Sequence, residues 1–135
     1  MKTDNNTTRT TSYNITELKE NEIFVFGSNL GGKHGAGAAK FAHKRFGAVY
    51  GCGEGLQGRC YAIPTKGYRM EVLPLDTVRR FVQKFLRYAA CSSDCTFLVT
   101  KIGCGLAGYE TRDIAPMFEK RPENVILPQE FLDQL

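Results

Sequence analysis

The sequence predicts an α/β fold of three layers, α/β/α, with a mostly parallel or mixed central sheet and helices on both faces. Three observations carry this. Short apolar runs alternate with helical patterns along the chain. Those runs are apolar almost throughout, as strands buried on both faces are, instead of at every second position. Glycine-dense loops adjoin the runs, and in such sheets ligands sit beyond the C-terminal ends of the strands.

The bulk properties set the frame. A chain of 135 residues makes one domain and buries roughly two thirds of its unfolded surface without staples. Eighteen Lys and Arg against fourteen Asp and Glu give a net charge of +4. That mild excess favours a phosphorylated ligand without singling out nucleic acid. Nucleic-acid readers gather their cations in a patch or stripe, and the longest basic group here is Arg79-Arg80. Five cysteines close no even disulfide framework, and with no signal peptide a cytoplasmic setting is expected. Cys91 and Cys95 lack a nearby histidine, so neither a metal nor a cofactor is expected. No apolar run approaches the length of a membrane span, so no membrane partner is expected.

Residues 1–13 are polar, with five threonines, and read as a flexible tail before a single domain over residues 14–135. Ile15 and Leu18 are placed to cover the edge of the first strand, Ile23 to Phe26. After that strand comes a loop with Gly31, Gly32, Gly35 and Gly37, opening a helix from about Gly37 to Phe46. A strand, a glycine turn and a helix N-terminus together hold an anion, because no Cβ blocks the backbone N–H groups. Ala38, Phe41, Ala42 and Arg45 recur at helical spacing, Gly47 closes the helix, and His43 faces solvent. Ala48 to Tyr50 reads as a short strand, and Gly51 to Gly58 as a second glycine loop. Arg59 to Pro64 follows as a strand ended by its proline. Pro74 suits the first turn of the clearest helix, with Val78, Phe81, Val82, Phe85, Leu86 and Ala89 on one face. Its charges, Arg79, Arg80, Lys84 and Arg87, form a solvated face. Thr96 to Ile102 is a strand running into a third glycine loop, Gly103 to Tyr109. Thr111 caps a short helix with Asp113 in its first turn, and Pro116 keeps it short. Asn124 to Pro128 is the last strand, and Phe131 and Leu132 close the chain.

Three stretches carry a family resemblance. They are Asn14-Ile15-Thr16; the run from Asn29 through Gly31, Gly32, His34, Gly35, Ala36, Gly37 and Ala38 to Ala39; and Ile102-Gly103-Cys104-Gly105-Leu106-Ala107-Gly108-Tyr109. From Asn14 to about Phe131 the chain resembles a macro domain, the ADP-ribose-binding α/β/α module, in a small branch found in bacteria and their phages. The resemblance implies a macro domain-like fold that binds ADP-ribose or a related ADP-containing nucleotide. Gly31, Gly32 and the backbone from Gly35 through Ala36 and Gly37 to Ala38 would make the first phosphate loop. Gly103, Cys104, Gly105, Leu106 and Gly108 would make the second. Asn29 would bond the distal ribose, or else tie down its own loop. Asn14 would reach the adenine amino group, or else serve as a turn residue; the family position is commonly acidic, and an amide oxygen accepts less strongly than a carboxylate. Phe131 would stack on the adenine or belong to the core, and Tyr109 would close over the distal ribose or pack its loop.

The resemblance also raises catalysis. His34 to Ala39, Arg45-Phe46-Gly47 and Ile102 to Leu106 are similar to macro domains that remove ADP-ribose from glutamate. In that class a lysine attacks the anomeric carbon with help from an aspartate. Lys66 falls at the lysine position, but the aspartate position holds Ala107, which neither takes a proton nor pairs with a lysine. A lysine needs a base or a lowered pKa to act as nucleophile. Glu54 and His34 are the substitutes in a glycohydrolase reading, with Asp113 as a remoter one. The sequence therefore favours nucleotide binding, with ADP-ribosyl glycohydrolysis of a modified protein or nucleic acid as the alternative. A structural or RNA-binding scaffold is the third reading.

Overall fold

The structure is a computed structural model describing residues 9–12 and 14–135; residues 1–8 and Tyr13, most of the expected tail, lie outside the described residues. The run Glu22–Asn29 forms β1, with alternate side chains sent to opposite faces. Along the chain follow α1 (Gly37–Arg45), β2 (Gly55–Gln57), β3 (Cys60–Lys66), α2 (Leu75–Ala90), β4 (Thr96–Val99) and α3 (Thr111–Ile114). A 3-10 turn (Ala115–Phe118), β5 (Val125–Ile126) and α4 (Gln129–Leu132) complete it. The five strands lie in the order β2-β3-β1-β4-β5. β1 is parallel to β3 and to β4, with Val25 between Tyr61 and Val99. β5 is parallel to β4, and only β2 runs antiparallel, against β3.

Two apolar clusters flank this sheet. Val25, Ile63 and Val99 meet Val78, Val82 and Phe85 of α2, with Ile114, Phe118 and Phe131 from the later helices. On the other face Phe24, Phe26 and Ala62 meet Ala39, Ala42 and Phe46 around α1. Phe26, Phe85 and Phe97 are fully buried, and burial of each such ring contributes about 2–3 kcal/mol. Helices therefore flank a central mixed sheet. Among the described residues no helix is long and apolar enough to cross a membrane.

Several elements differ from expectation for identifiable reasons. Ile15 and Leu18 pack on the α1 face of the sheet, because both edges of β1 are occupied by β3 and β4. Residues 48–50 form no strand; instead Val49 N–H donates to the Gln57 side-chain oxygen at 2.8 Å, and the strand of this region is β2, within the glycine loop. Pro64 does not end β3, which pairs on through Lys66. β2 covers only Cys60 to Ala62, so at Pro64 the outer side of β3 demands no N–H. β4 ends at Val99, where Thr100 turns off through bonds from its N–H and hydroxyl to Val25 O at 3.1 and 2.8 Å. Thr111 is the first residue of α3 and not its cap; Asp113 accepts the Glu110 N–H at 3.0 Å. Within the expected tail, Thr11 docks beside β5, its N–H donating to Leu127 O at 2.8 Å and its hydroxyl to Ile126 O at 2.9 Å.

Candidate functional site

The sheet order creates a crevice. The chain leaving β1 passes over one face through α1 on its way to β3, whereas the chain leaving β4 turns to the other face through α3. Neighbouring parallel strands whose connections part in this way leave a ligand-sized gap at their C-terminal ends. Here the gap is a cleft of about 290 Å³. Gly27 and Ser28 of β1 and Thr65 and Lys66 of β3 contribute the strand ends. Residues 36–39 line it from α1, and residues 100–103 and 105–107 from the segment after β4. Gly37, Ala38 and Thr100 also line an adjoining hollow with Asn14, Ile15 and Phe41, so the cleft continues past the start of α1 towards Asn14.

The start of α1 brings backbone donors to this cleft. Among the described residues no side chain caps α1, and no acid occupies its first turn. Lys40 is the first residue whose N–H reaches a helical acceptor, Ala36 O at 3.1 Å. The N–H groups of Gly37, Ala38 and Ala39 thus have no helical partner, and the positive end of the helix dipole adds to their pull on an anion. Gly37 has φ +58, and a side chain there would meet nothing within 4 Å. Across the cleft Gly103 has φ +74, and a Cβ would lie 3.1 Å from Ile114 Cδ1, so backbone conformation and space together favour glycine at this corner. The loop is pinned by Gly108 N–H on Gly105 O at 3.0 Å and Tyr109 N–H on Gly103 O at 2.8 Å.

Lys66 and Lys101 are the charged side chains lining the cleft, and its described lining holds no carboxylate and no histidine. Lys66 ends β3, where its carbonyl accepts Leu30 N–H at 2.9 Å. Lys101 Nζ lies 3.7 Å from Glu130 Oε2. Ala107 lines the cleft without adding a proton acceptor.

Other residues singled out from the sequence lie elsewhere. Asn29 is 5 % exposed, and its amide ties the loop, donating to Lys33 O at 3.0 Å and accepting Lys33 N–H at 2.8 Å. Gly31 and Gly32 are not in the cleft lining. At Gly32, φ +67, a Cβ would stand 2.3 Å from Cys52 N, so the first glycine loop rests on the second, backbone to backbone. Gly35 is open to solvent beside α1. His34, expected to touch ligand, is 2 % exposed: Nε2 lies 3.1 Å from Cys52 O, the ring meets Phe26 edge-on, and Nδ1 has no hydrogen-bond partner among the described residues. Glu54 is not in the cleft lining and sits against α2, paired with Lys84 at 3.1 Å. Cys104 does not line the cleft, and burial pushes its thiol up to about 11. The Tyr109 hydroxyl donates to Leu73 O at 2.6 Å while the ring packs on the core. Phe131 is fully buried, 5.8 Å from the Phe118 ring, which removes it as a stacking partner. Asn14 is exposed and lines the adjoining hollow.

Sequence reasoning missed Ser28, Thr65, Thr100, Lys101 and Met70, which all line the cleft. A signal for most of them existed. In a parallel sheet the last residues of each strand and those just beyond it face the ligand end, and only the glycines there drew attention. No protein-family model, no curated protein and no solved structure matches this chain.

Proposed function

We propose that the chain is a macro-type module that binds ADP-ribose, or a related ADP-containing nucleotide, in the cleft between β1 and β4. One observation supports this above the rest: the uncapped start of α1 and the glycine turn after β4 line one cleft at the C-terminal ends of parallel strands. A diphosphate suits it, because N–H groups without helical partners, helix-dipole charge and two lysines favour an anion, and the described lining of the cleft itself carries no carboxylate. The adjoining hollow beside Asn14, Ile15 and Phe41 offers the adenosine end an apolar wall with a polar edge.

The reading is binding without turnover. Lys66 lines the cleft, but Ala107 stands where the resemblance places an aspartate, and Glu54 and His34 are engaged elsewhere. An amine without a base has no ready route to attack an anomeric carbon at neutral pH. Calorimetric titration with ADP-ribose, with AMP and NAD alongside, tests the binding. The expected result is micromolar affinity, higher for ADP-ribose than for AMP; no binding of any of the three overturns the reading. Release of ADP-ribose from a modified protein or nucleic acid, lost in Lys66→Ala, would replace the binder by the glycohydrolase.

A further inference from the structure

Two lysines line the cleft, and they are held differently. Lys66 has no ion-pair partner among the described residues, whereas Lys101 lies 3.7 Å from Glu130 Oε2 in the first turn of α4. Lys101 lines both the cleft and a neighbouring hollow, and Glu130 lines only the hollow. Lys101 therefore stands between the two, with its ammonium beside the carboxylate of the hollow and the cleft on the residue's other side. Its backbone is fixed: Thr100 is bonded twice to Val25 O, and Lys101 O accepts Cys104 N–H at 3.2 Å. Only the four-carbon arm has to move. Both side chains are nearly half exposed, 40 % and 46 %, and a pair of that kind is held weakly.

We propose that Lys101 is a second cationic contact for the ligand's phosphates and that Glu130 holds it back, so that this carboxylate limits affinity. The inference rests on the nucleotide reading of the cleft. An incoming phosphate offers the ammonium a full negative charge beside the free N–H groups of α1, a stronger attraction than that of a half-solvated carboxylate. Lys101 is thus a binding residue, and Glu130 a positioning residue that acts through it.

The test is calorimetry with ADP-ribose on the wild type, Lys101→Gln, Glu130→Gln and the double variant, at low and high salt. Lys101→Gln should weaken binding about 5- to 10-fold at low salt and less at high salt, as screening predicts. Glu130→Gln should tighten binding about 2- to 3-fold, and the double variant should match Lys101→Gln. A merely structural pair would give two variants weakened alike, and that result overturns the proposal. So does a Lys101→Gln variant within about twofold of the wild type, well under the tenfold that one strong contact commands. In either case a wild type that binds leaves the nucleotide reading standing. A wild type that fails to bind brings down both.

Discussion

Placing a carboxylate at the start of α1 should damage the site and improve the helix together. Ala38 is exposed, lies in the first turn, and lines both the cleft and the hollow beside Asn14. In Ala38→Glu, a charge about 6 Å from one phosphate at an effective dielectric of about 20 costs roughly 3 kcal/mol. The second phosphate adds to this, while open solvent and salt remove well over half of the sum. A net loss of about 2 kcal/mol remains, or about 30-fold in affinity. The same charge at an uncapped, acid-free helix start stabilises by about 0.3–1 kcal/mol, raising Tm by about 1–3 °C. Ala38→Gln, similar in shape and neutral, is the reference for both numbers. Calorimetry with ADP-ribose and thermal unfolding by circular dichroism measure them. Equal affinities for the Glu and Gln variants would show that no phosphate sits at α1. A lower Tm for Glu than for Gln would refute the account of the helix start itself.

Three further outcomes follow from the geometry. Gly32→Ala drives a Cβ to 2.3 Å from Cys52 N in a backbone already at φ +67; a loss of about 2 kcal/mol or more is expected in chemical denaturation, and wild-type stability would refute backbone contact between the two glycine loops. Phe131→Leu should cost about 1–2 kcal/mol of stability yet leave ADP-ribose affinity within about twofold, which is small on a tenfold scale of 1.4 kcal/mol; a large loss of affinity would return this ring to the site. Burial would raise the Glu22 carboxyl, but the Lys19 N–H at 2.9 Å and the Arg9 guanidinium at 2.7 Å together outweigh it and hold the group below 4.5. Being depressed in the folded state, this group adds stability above the ordinary carboxylate range and loses it as pH falls through its folded value. Glu22→Gln should therefore be less stable by about 1 kcal/mol at neutral pH and equal to the wild type once the carboxylate is protonated; a gap that does not change with pH would refute the assignment.

Legibility along the chain followed the range of the interactions. α2 was readable because Val78, Val82, Phe85 and Ala89 repeat at helical spacing within one element, and the glycine turns before α1 and after β4 were readable because loops of this kind announce themselves locally. β2 was not: three residues ending in a glutamine become a strand only when β3 lies alongside. Pro64 misled because its tolerance depends on which side of β3 has a neighbour. His34 and Glu54 were chosen for their chemistry, which says nothing about direction; the folded chain turns one onto Cys52 O beneath the glycine loops and the other onto Lys84.

By itself, then, the sequence determined the class of fold, the main helices and strands, and two glycine-bearing turns, before α1 and after β4, whose residues line the cleft. Those features depend on residue type and on spacing over a few positions. Only the tertiary structure decided the strand order, and with it the point between β1 and β4 where the connections part and a cleft opens. It also decided that Lys101 and Thr100, with no mark of their own in the sequence, belong to that cleft while Asn29 and Tyr109 are spent on holding loops. The physical reason is that side-chain direction is set by register and packing across the sheet, between residues far apart in the chain.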